Sequence, residues 1–317
     1  MKARYISLGP LIDWRRVNRP IDWNEVFRND DPVVLEIGFG NGEYLIRRAK
    51  TEANKNFVGI EKEWQSVWRA LRRIAQNQLS NVRLLKADAR WAVHHLMGTG
   101  VFSEIYSLFP CPWPKERHVS RRLFSNRCLK RLNNSLVGGG VLWIVTDDDV
   151  YANWIKEQSE GSGFQVLHEF IPPSFGTKYE TKWVNEGLRQ FHKITLIKKQ
   201  DSLFMPEGEI IVRTYRVSEF YPNDFYPDPV RGNVVVDFKD FLYDSNRGKA
   251  LLRAVVVEDE FVQDFWIEIS RSRDGRWHIK PASGCGWIPT VGLQKALDAV
   301  YAYCTKRSEQ TGAAKQS

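Results

Sequence analysis

Hydrophobic residues in the first two thirds of the chain form short continuous runs that alternate with amphipathic stretches. The continuous runs stand at residues 33–37, 57–60, 82–86, 105–108 and 141–145. Apolar residues at helical spacing fill the segments 42–50 and 64–78. This alternation is typical of a parallel sheet covered by helices, so the pattern predicts an α/β fold for this part of the chain.

The pattern changes near residue 200. Runs of strand character then follow one another without intervening helices, at 209–217, 233–238, 251–258, 261–271 and 277–280. A turn at 273–276 joins the last two, as expected of antiparallel hairpins. One amphipathic helix is predicted at 293–306, followed by a polar tail at 308–317 that we expect to be disordered. We therefore divide the chain into residues 1–200 and a small α+β domain at 201–317.

Composition adds a preference for a polyanionic partner. Among 317 residues, 46 Lys and Arg stand against 38 Asp and Glu, a formal net charge of +8, which favours nucleic acid or an acidic membrane surface. The cysteines are Cys111, Cys128, Cys285 and Cys304. They form no CxxC pair and no dense framework, so we expect neither a metal site nor a disulfide scaffold. Because the sequence has no apolar stretch of about 18 residues, we expect a soluble, cytoplasmic protein.

A glycine-rich turn follows the first apolar run and opens a helix. Residues 35–42 read Leu-Glu-Ile-Gly-Phe-Gly-Asn-Gly. At Gly38, Gly40 and Gly42 backbone amides can approach a ligand where side chains would clash, although a purely structural turn is the alternative. The spacing differs from the GxGxxG of a dinucleotide phosphate grip. Glu36 would repel a pyrophosphate and suits an ammonium group, such as that of the methionine part of S-adenosylmethionine.

Two further acids end the next two apolar runs. Glu61 follows residues 57–60, where a carboxylate can accept hydrogen bonds from ribose hydroxyls, and Asp88 follows 84–87, where an acid can face an adenine amino group. Each acid alone can also be a helix N-cap, which is the commoner use. With Glu36 they form a row along the carboxyl edge of the sheet, where open α/β folds bind ligands.

A proline-locked aromatic loop follows the fourth run. Residues 109–118 read Phe-Pro-Cys-Pro-Trp-Pro-Lys-Glu-Arg-His, and the three prolines fix Trp113. Over residues 115–131 one acid faces seven basic residues: Lys115, Arg117, Arg121, Arg122, Arg127, Lys130 and Arg131. A solvated helix face is the alternative for such a run, but its start at an aromatic loop favours phosphate contacts and base stacking. His118 suits a general base or a phosphate contact equally, and Cys111 a nucleophile or a small buried residue.

Two polar segments stand beyond these motifs. Thr146 and Asp147 follow the run at 141–145, again at a carboxyl end. Residues 176–180 read Gly-Thr-Lys-Tyr-Glu, which places a hydroxyl, an ammonium and a carboxylate within four residues. Such a polar loop is often plain surface.

Together these motifs resemble those of the bacterial tRNA (guanine-N7)-methyltransferases of the TrmB type. The matching segments are 35–42, 59–61, 109–118 with Arg121 and Arg122, 146–147 and 177–180. They follow that family's order and spacing through residues 1–200. The resemblance implies a class I methyltransferase fold, a Rossmann-like doubly wound sheet. It also implies an enzyme that transfers a methyl group from S-adenosylmethionine to guanine N7 in the tRNA variable loop.

The resemblance assigns a role to each motif residue. The residues expected to hold the cofactor are Glu36, Gly38, Gly40, Gly42, Glu61 and Asp88. Those expected to face the guanosine are Lys115, Asp147, Thr177, Lys178, Tyr179 and Glu180. The expected RNA phosphate contacts are Arg117, His118, Arg121 and Arg122. No metal is implied.

One position departs from the family. Its block usually reads Phe-Pro-Asp-Pro-Trp, so Cys111 replaces the aspartate that is credited with catalysis. Guanine N7 carries a free lone pair, so no proton need be removed, but the reaction builds positive charge that a fixed carboxylate stabilises. Losing such a group typically costs on the order of 100- to 1000-fold in rate. Asp147, Glu180 or a Cys111 thiolate are the candidate substitutes.

Two other functions stay open at this point. A non-catalytic tRNA-binding paralogue would explain the cysteine, and a methyltransferase for a small molecule or protein would leave the basic block unexplained. In the second domain, aromatic and basic residues suit either auxiliary tRNA binding or, for the aromatics, a core. They are Arg213, Tyr215, Arg216, Tyr221, Phe225, Tyr226 and Arg231. The sequence leaves the oligomeric state open.

Overall fold

The protein forms two compact units, Met1–Glu207 and Gly208–Ser317. A computed structural model describes residues 6–202, 210–223, 225–258 and 261–314, with residues 308–314 described by their backbone alone. Each unit has its own sheet. Among the described residues no helix is long and apolar enough to cross a membrane.

The first unit is built on a seven-stranded sheet. Its strands are β1 (Val33–Ile37), β2 (Asn56–Glu61), β3 (Val82–Lys86), β4 (Phe102–Leu108), β5 (Leu136–Thr146), β6 (Phe164–Ile171) and β7 (Phe191–Lys198). They lie in the order β3-β2-β1-β4-β5-β7-β6. Neighbouring strands from β3 to β5 pair in parallel, whereas β7 is antiparallel to both β5 and β6. The order reverses between β1 and β4, so a crevice opens at the carboxyl ends of these strands.

Seven α-helices accompany this sheet in the described part of the first unit. They are α1 (Trp23–Phe27), α2 (Glu43–Thr51), α3 (Trp64–Asn77), α4 (Ala89–His95), α5 (Asn126–Ser135), α6 (Asp149–Gln158) and α7 (Lys178–Asn185). The helix α3 shows how the pattern sets the fold, because its apolar positions are spaced to face one side: Val67, Ala70, Leu71 and Ile74. All four are buried, in one cluster with strand residues such as Phe57 and Leu84. The predicted fold class is confirmed.

The second unit is a five-stranded antiparallel sheet with one long helix. Its strands are β8 (Tyr215–Val217), β9 (Val234–Asp244), β10 (Lys249–Glu258), β11 (Phe261–Arg271) and β12 (Trp277–Pro281). They lie in the order β8-β12-β11-β10-β9. The helix α8 (Val291–Ala314) buries Leu293, Leu297 and Val300 in the same cluster as Val236 and Leu252.

Two sequence predictions for this unit need correction. The run predicted at 209–217 shortens to β8, and residues 203–209 lie outside the described part of the chain. The predicted disorder from residue 308 is wrong as far as Ala314, because α8 continues through a segment that contains good helix formers. Residues 315–317 lie outside the described part.

The aromatic and basic residues of this unit divide between core and surface. Phe225 is buried, and Tyr215 stacks on Tyr301 at 4.4 Å between ring centroids. Arg231 pairs with Asp237 at 2.7 Å. The ring of Tyr226 remains 80% exposed. The core interpretation therefore holds for Phe225, and Tyr226 is available at the surface.

Candidate active site

Glu36 lies in the middle of the sheet, at the carboxyl end of β1. Its neighbours in register are Gly59 on β2 and Tyr106 on β4, and the residue is only 3% exposed. Burial raises the pKa of this carboxyl to about 8. Within the described part of the chain, its Oε2 has no hydrogen-bond partner. A buried, unpaired carboxylate oxygen at a crevice fits a ligand that brings a donor.

The three glycines of the turn divide into two kinds. All have positive φ, +75° at Gly38, +54° at Gly40 and +77° at Gly42. A Cβ built on Gly38 or Gly40 would meet nothing within 4 Å, so both open onto empty space. A Cβ on Gly42 would stand 3.0 Å from the Cβ of Ala70 on α3. Gly42 therefore lets α2 and α3 approach each other, and its contact with the cofactor stays a prediction.

Glu61 is fixed at the end of β2 by three backbone amides. Its Oε2 accepts from Gly40 N at 3.0 Å, and its Oε1 accepts from Lys62 N at 2.8 Å and Glu63 N at 3.0 Å. A carboxylate has about four acceptor sites, so capacity remains for ligand hydroxyls. The same carboxylate ties the glycine turn to β2.

Asp88 is engaged by its own helix. Its Oδ1 caps α4 by accepting from Arg90 N at 3.0 Å, and its Oδ2 lies 2.7 Å from Arg90 Nη2. Burial favours the neutral acid, but the hydrogen bonds and charge of Arg90 hold the pKa of Asp88 below its ordinary value. The N-cap alternative is therefore realised. A contact with adenine stays a prediction for this residue.

Two adjoining cavities follow the carboxyl edge. The smaller, of about 250 Å³, is lined by Asp88, Ala89 and Trp113 among others. The larger, of about 490 Å³, is lined by residues that include Glu36, Asp147, Thr177, Lys178, Tyr179 and Trp183. Four residues line both cavities: Gly38, Glu61, Pro110 and Cys111. The two cavities therefore form one elongated site, and Cys111 lies where they meet.

The loop after β4, residues 109–115, is held in an unusual backbone conformation. Phe109 and Trp113 have φ of +55° and +45°, a left-handed region that bulky residues rarely adopt. Phe109 N donates to Val145 O at 2.7 Å, and its ring packs edge-on against Phe191 at 5.0 Å. Strain of this kind persists only where surrounding contacts enforce it, and it is common at functional sites. Between the two strained residues, Cys111 is exposed at the junction of the cavities.

Arg122 is one of the contacts that hold this loop. It is 4% exposed, and its Nε donates to Pro112 O at 2.8 Å. Its guanidinium carbon lies 5.5 Å from the ring centroid of Tyr151 and 5.2 Å from that of Trp154. The predicted phosphate contact is therefore wrong for Arg122, because two aromatic rings on α6 draw its side chain inward.

The other basic residues of the block stay at the surface. Lys115, Arg117 and Arg121 are exposed, and Glu116 to Arg121 form a short 3-10 helix. Arg121 lies over the ring of Trp113 at 5.1 Å, and His118 meets the same ring edge-on at 5.8 Å. This surface keeps the charge and the aromatic ring that the sequence predicts.

The loop before α7, residues 172–177, is organised by Glu180. This residue is 4% exposed, and its carboxylate accepts from Ser174 N at 2.7 Å, Phe175 N at 3.0 Å and Gly176 N. Thr177 Oγ1 accepts from Glu180 N at 3.2 Å, so the pair is a variant of the capping box. Glu180 is absent from the lining of the larger cavity and its oxygens face the backbone, so in this structure it organises the loop, and its contact with the substrate stays a prediction.

Asp147 is one of the acids that line the larger cavity. It follows β5, is half-buried, and lines that cavity with Thr177 and Tyr179. Burial raises its pKa above the ordinary value, and the charge of Asp148 adds to this effect. Among the described residues no group of three or more His, Cys, Asp or Glu is placed to hold a metal.

Some functional residues are missing from the sequence interpretation. Trp183 and Arg69 line the larger cavity, and Arg47 Nη2 donates to Phe175 O at 2.7 Å, which fastens the loop before α7 to α2. Trp183 lies on α7 three residues after the end of the Thr-Lys-Tyr-Glu motif, which is a signal the sequence offers. The contact of Arg47 spans 128 positions and has no local signal.

The fold and this site define a methyltransferase. A family model described as a putative methyltransferase matches residues 30–193. A solved structure of the 16S rRNA methyltransferase KamB aligns with a TM-score of 0.45 and 15% identity, over 56% of this chain and 92% of that one.

Proteins of similar sequence indicate which kind of methyltransferase this is. A tRNA (guanine-N(7)-)-methyltransferase of Chlorobium phaeobacteroides is 42% identical over 177 residues, which is 56% of this chain and 87% of the relative. One of Thermotoga maritima is 32% identical over 289 residues, 88% of this chain and 91% of the relative, so that match extends into the second unit. The chain belongs to the tRNA (guanine-N(7)-)-methyltransferase family, and the predicted resemblance is confirmed.

Proposed function

We propose that this protein transfers a methyl group from S-adenosylmethionine to N7 of a guanine in the tRNA variable loop. One observation carries the proposal. A buried Glu36 oxygen that has no hydrogen-bond partner among the described residues lies with two open glycines on the side that would hold the methyl donor, and Asp147 with Thr177 and Tyr179 lies on the side that would hold the acceptor. Cys111 lies where the two cavities meet.

The residues on the donor side fit the cofactor. When bound, S-adenosylmethionine supplies an electrophilic methyl group on a sulfonium. Glu36 offers its unpaired oxygen to the ammonium, and Gly38 and Gly40 leave the space that the amino-acid part needs. Glu61 keeps acceptor capacity for ribose hydroxyls, and the smaller cavity beside Asp88 suits the adenine.

The residues on the acceptor side position a base and compensate charge. Guanine N7 attacks through a free lone pair, so this chain needs no general base. Positive charge develops on the purine, and a half-buried Asp147 carboxylate can stabilise it more strongly than the same group in water. Tyr179 and Trp183 offer aromatic surface to the base in the same cavity.

The exposed basic block binds the RNA backbone. Lys115, Arg117 and Arg121 neutralise phosphates, and Trp113 with His118 anchors the short helix that carries them. In the second unit, exposed Tyr226 and Arg213 are the candidates for auxiliary tRNA contacts. We place the activity in the cytoplasm, where tRNA is found.

Cleavage at the modified base tests the proposal. The full chain is incubated with labelled S-adenosylmethionine and an unmodified tRNA transcript, and the RNA is then treated with borohydride and aniline. The expected result is one break in the variable loop. A transcript with adenine in place of that guanine is the control and should give no break. Cofactor and tRNA binding without methyl transfer would overturn the enzymatic proposal in favour of a binding protein.

A further inference from the structure

The outer face of α3 carries two large aromatic side chains in solvent. Trp64 is 45% exposed and Trp68 is 42% exposed. Residues four apart lie on the same side of a helix, so the two indoles are neighbours. Val67 and Leu71, each three positions after one of the tryptophans, are buried in the core, so Trp64 and Trp68 border the buried face of α3. Core packing therefore accounts for the buried part of each indole and leaves nearly half of it in solvent.

The same helix is strongly basic. Between Trp64 and Asn77 it contains Arg69, Arg72 and Arg73 and no acidic residue. Arg73 pairs with Glu43 at 3.1 Å. Arg72 is exposed and lies over the ring of Trp68 at 5.9 Å, and no carboxylate among the described residues pairs with it. We call Trp64, Trp68 and Arg72 the tryptophan face.

The tryptophan face begins beside the active site. The helix α3 starts three positions after Glu61, and Glu63, Ser66 and Arg69 all line the larger cavity. From Trp64 to Arg72 a helix advances about 12 Å. The face therefore leads from the rim of the cavity along the outside of the unit.

We propose that the tryptophan face is a second RNA-binding surface, on which unpaired bases of the bound tRNA stack while Arg72 contacts phosphate. The proposal rests on the proposed function, because the ligand is the same tRNA. Base stacking on aromatic side chains and arginine contact with phosphate are how proteins hold unpaired nucleotides.

Charge favours RNA over a protein partner. Trp and Arg are also common at the centres of protein interfaces, so aromatic exposure alone does not choose between them. Three arginines without an acid on one helix, in a chain of net charge +8, fit a polyanion. A symmetric dimer through this face would bring Arg72 close to its own copy, which costs free energy through like-charge repulsion.

Binding and steady-state kinetics of Trp64→Ala, Trp68→Ala and the double variant test the proposal. Each tryptophan removed should weaken tRNA affinity about tenfold. Affinity for S-adenosylmethionine should stay unchanged, and KM for tRNA should rise with little change in kcat, because a docking contact is made equally in ground and transition states. Phe170→Ala is the matched control, since Phe170 is 53% exposed on β6 at the far edge of the sheet.

Arg72 separates a phosphate contact from general packing. Arg72→Gln should flatten the dependence of log affinity on log salt by about 0.7 to 0.9, and Arg72→Lys should restore the slope. Both are surface changes, so folding should not be disturbed.

Each negative result has a distinct meaning. If the parent methylates tRNA and the tryptophan variants bind it equally well, the proposal for α3 fails and the proposed function stands. If the variants change the oligomeric state and not the RNA affinity, the face is an interface between copies and the proposal also fails. If the parent binds no tRNA at all, both proposals fall.

Discussion

Two buried glutamates at the same edge of the sheet have opposite hydrogen bonding. Glu36 is 3% exposed and its Oε2 has no partner in the described part of the chain, whereas Glu180 is 4% exposed and accepts from three backbone amides. Burial is therefore the same and does not distinguish them. The difference teaches that an acid with an unsatisfied buried oxygen in the lining of a cavity indicates a ligand site, whereas a buried acid that backbone amides satisfy away from that lining indicates a role in the scaffold.

The two arrangements have different costs. Leaving a buried polar group unpaired costs about 1–3 kcal/mol, and more when it is charged, so Glu36 destabilises the protein without its ligand. The hydrogen bonds from backbone amides offset the free-energy cost of burying Glu180. They also fix the loop at residues 172–177, next to the larger cavity. We therefore propose that Glu36 binds the ligand and that Glu180 positions the residues around it.

The largest effect is expected from Glu36→Gln. The amide keeps the size but cannot ionise to pair with the ammonium of the cofactor, so affinity for S-adenosylmethionine should fall about 100-fold, the scale of breaking a buried charged pair. Isothermal titration calorimetry measures this directly. An unchanged affinity in a folded variant would show that Glu36 does not hold the cofactor.

The pH dependence of thermal stability in the same variant tests the raised pKa of Glu36. The pKa of Glu36 is raised in the folded protein from 4.5 to about 8. A raised pKa in a folded acid contributes stability below the unfolded value that is lost as pH rises through the folded value. The Tm of the parent should therefore fall between about pH 4.5 and pH 8 more than that of Glu36→Gln. Parallel Tm curves for the two proteins would contradict the pKa.

The next effect concerns Glu180→Ala, the matched counterpart. Three amides would lose a charged acceptor, and such hydrogen bonds are worth about 1.5–3 kcal/mol each. The loop should loosen, and kcat/KM for tRNA methylation should fall about 30-fold while cofactor affinity stays within a few-fold. Limited proteolysis at residues 172–177 provides an independent readout. Loss of cofactor affinity comparable to that of Glu36→Gln would erase the distinction between the two acids.

Cys111 lies where the two cavities of the site meet, because it lines both of them. Cys111→Asp restores the carboxylate of the related family block and should raise single-turnover methylation about tenfold, at about 1.4 kcal/mol per decade. Cys111→Ser is the control, since serine keeps the size and cannot ionise near neutral pH. A serine variant without activity would indicate a catalytic thiolate and contradict a charge-compensating role for Asp147.

The sequence predicts what depends on local pattern. The five parallel strands and the glycine turn follow from apolar periodicity and from motif spacing, and Glu36 follows from its place at the carboxyl end of β1. Strands β6 and β7 are absent from the predicted set. Strand β6 is largely exposed and offers little apolar alternation, whereas β7 alternates buried and partly buried positions, which is a signal that the sequence does offer. The sequence also does not show that Glu36 and Glu180 differ in hydrogen bonding. This difference depends on which backbone amides the folded chain places beside each carboxyl group.

The smallest effects are expected for Arg121 and Arg122. These neighbours also test the distinction between residues that contact a ligand and residues of the scaffold. Adjacent in sequence, they differ in the structure: Arg121 is exposed, whereas Arg122 is buried against Tyr151 and Trp154. Arg121→Gln should flatten the slope of log tRNA affinity against log salt by about 0.7 to 0.9, because one phosphate contact is lost.

Arg122→Met should leave that slope unchanged, because its side chain donates to Pro112 O and does not reach solvent. Methionine removes this hydrogen bond and loosens the loop around Cys111, so the methylation rate should fall at saturating tRNA while RNA affinity is retained. Titrations at several salt concentrations, paired with single-turnover rates, separate the two variants. If both variants flatten the slope of log tRNA affinity against log salt equally, Arg122 contacts the RNA. Its assignment to the scaffold would then be wrong.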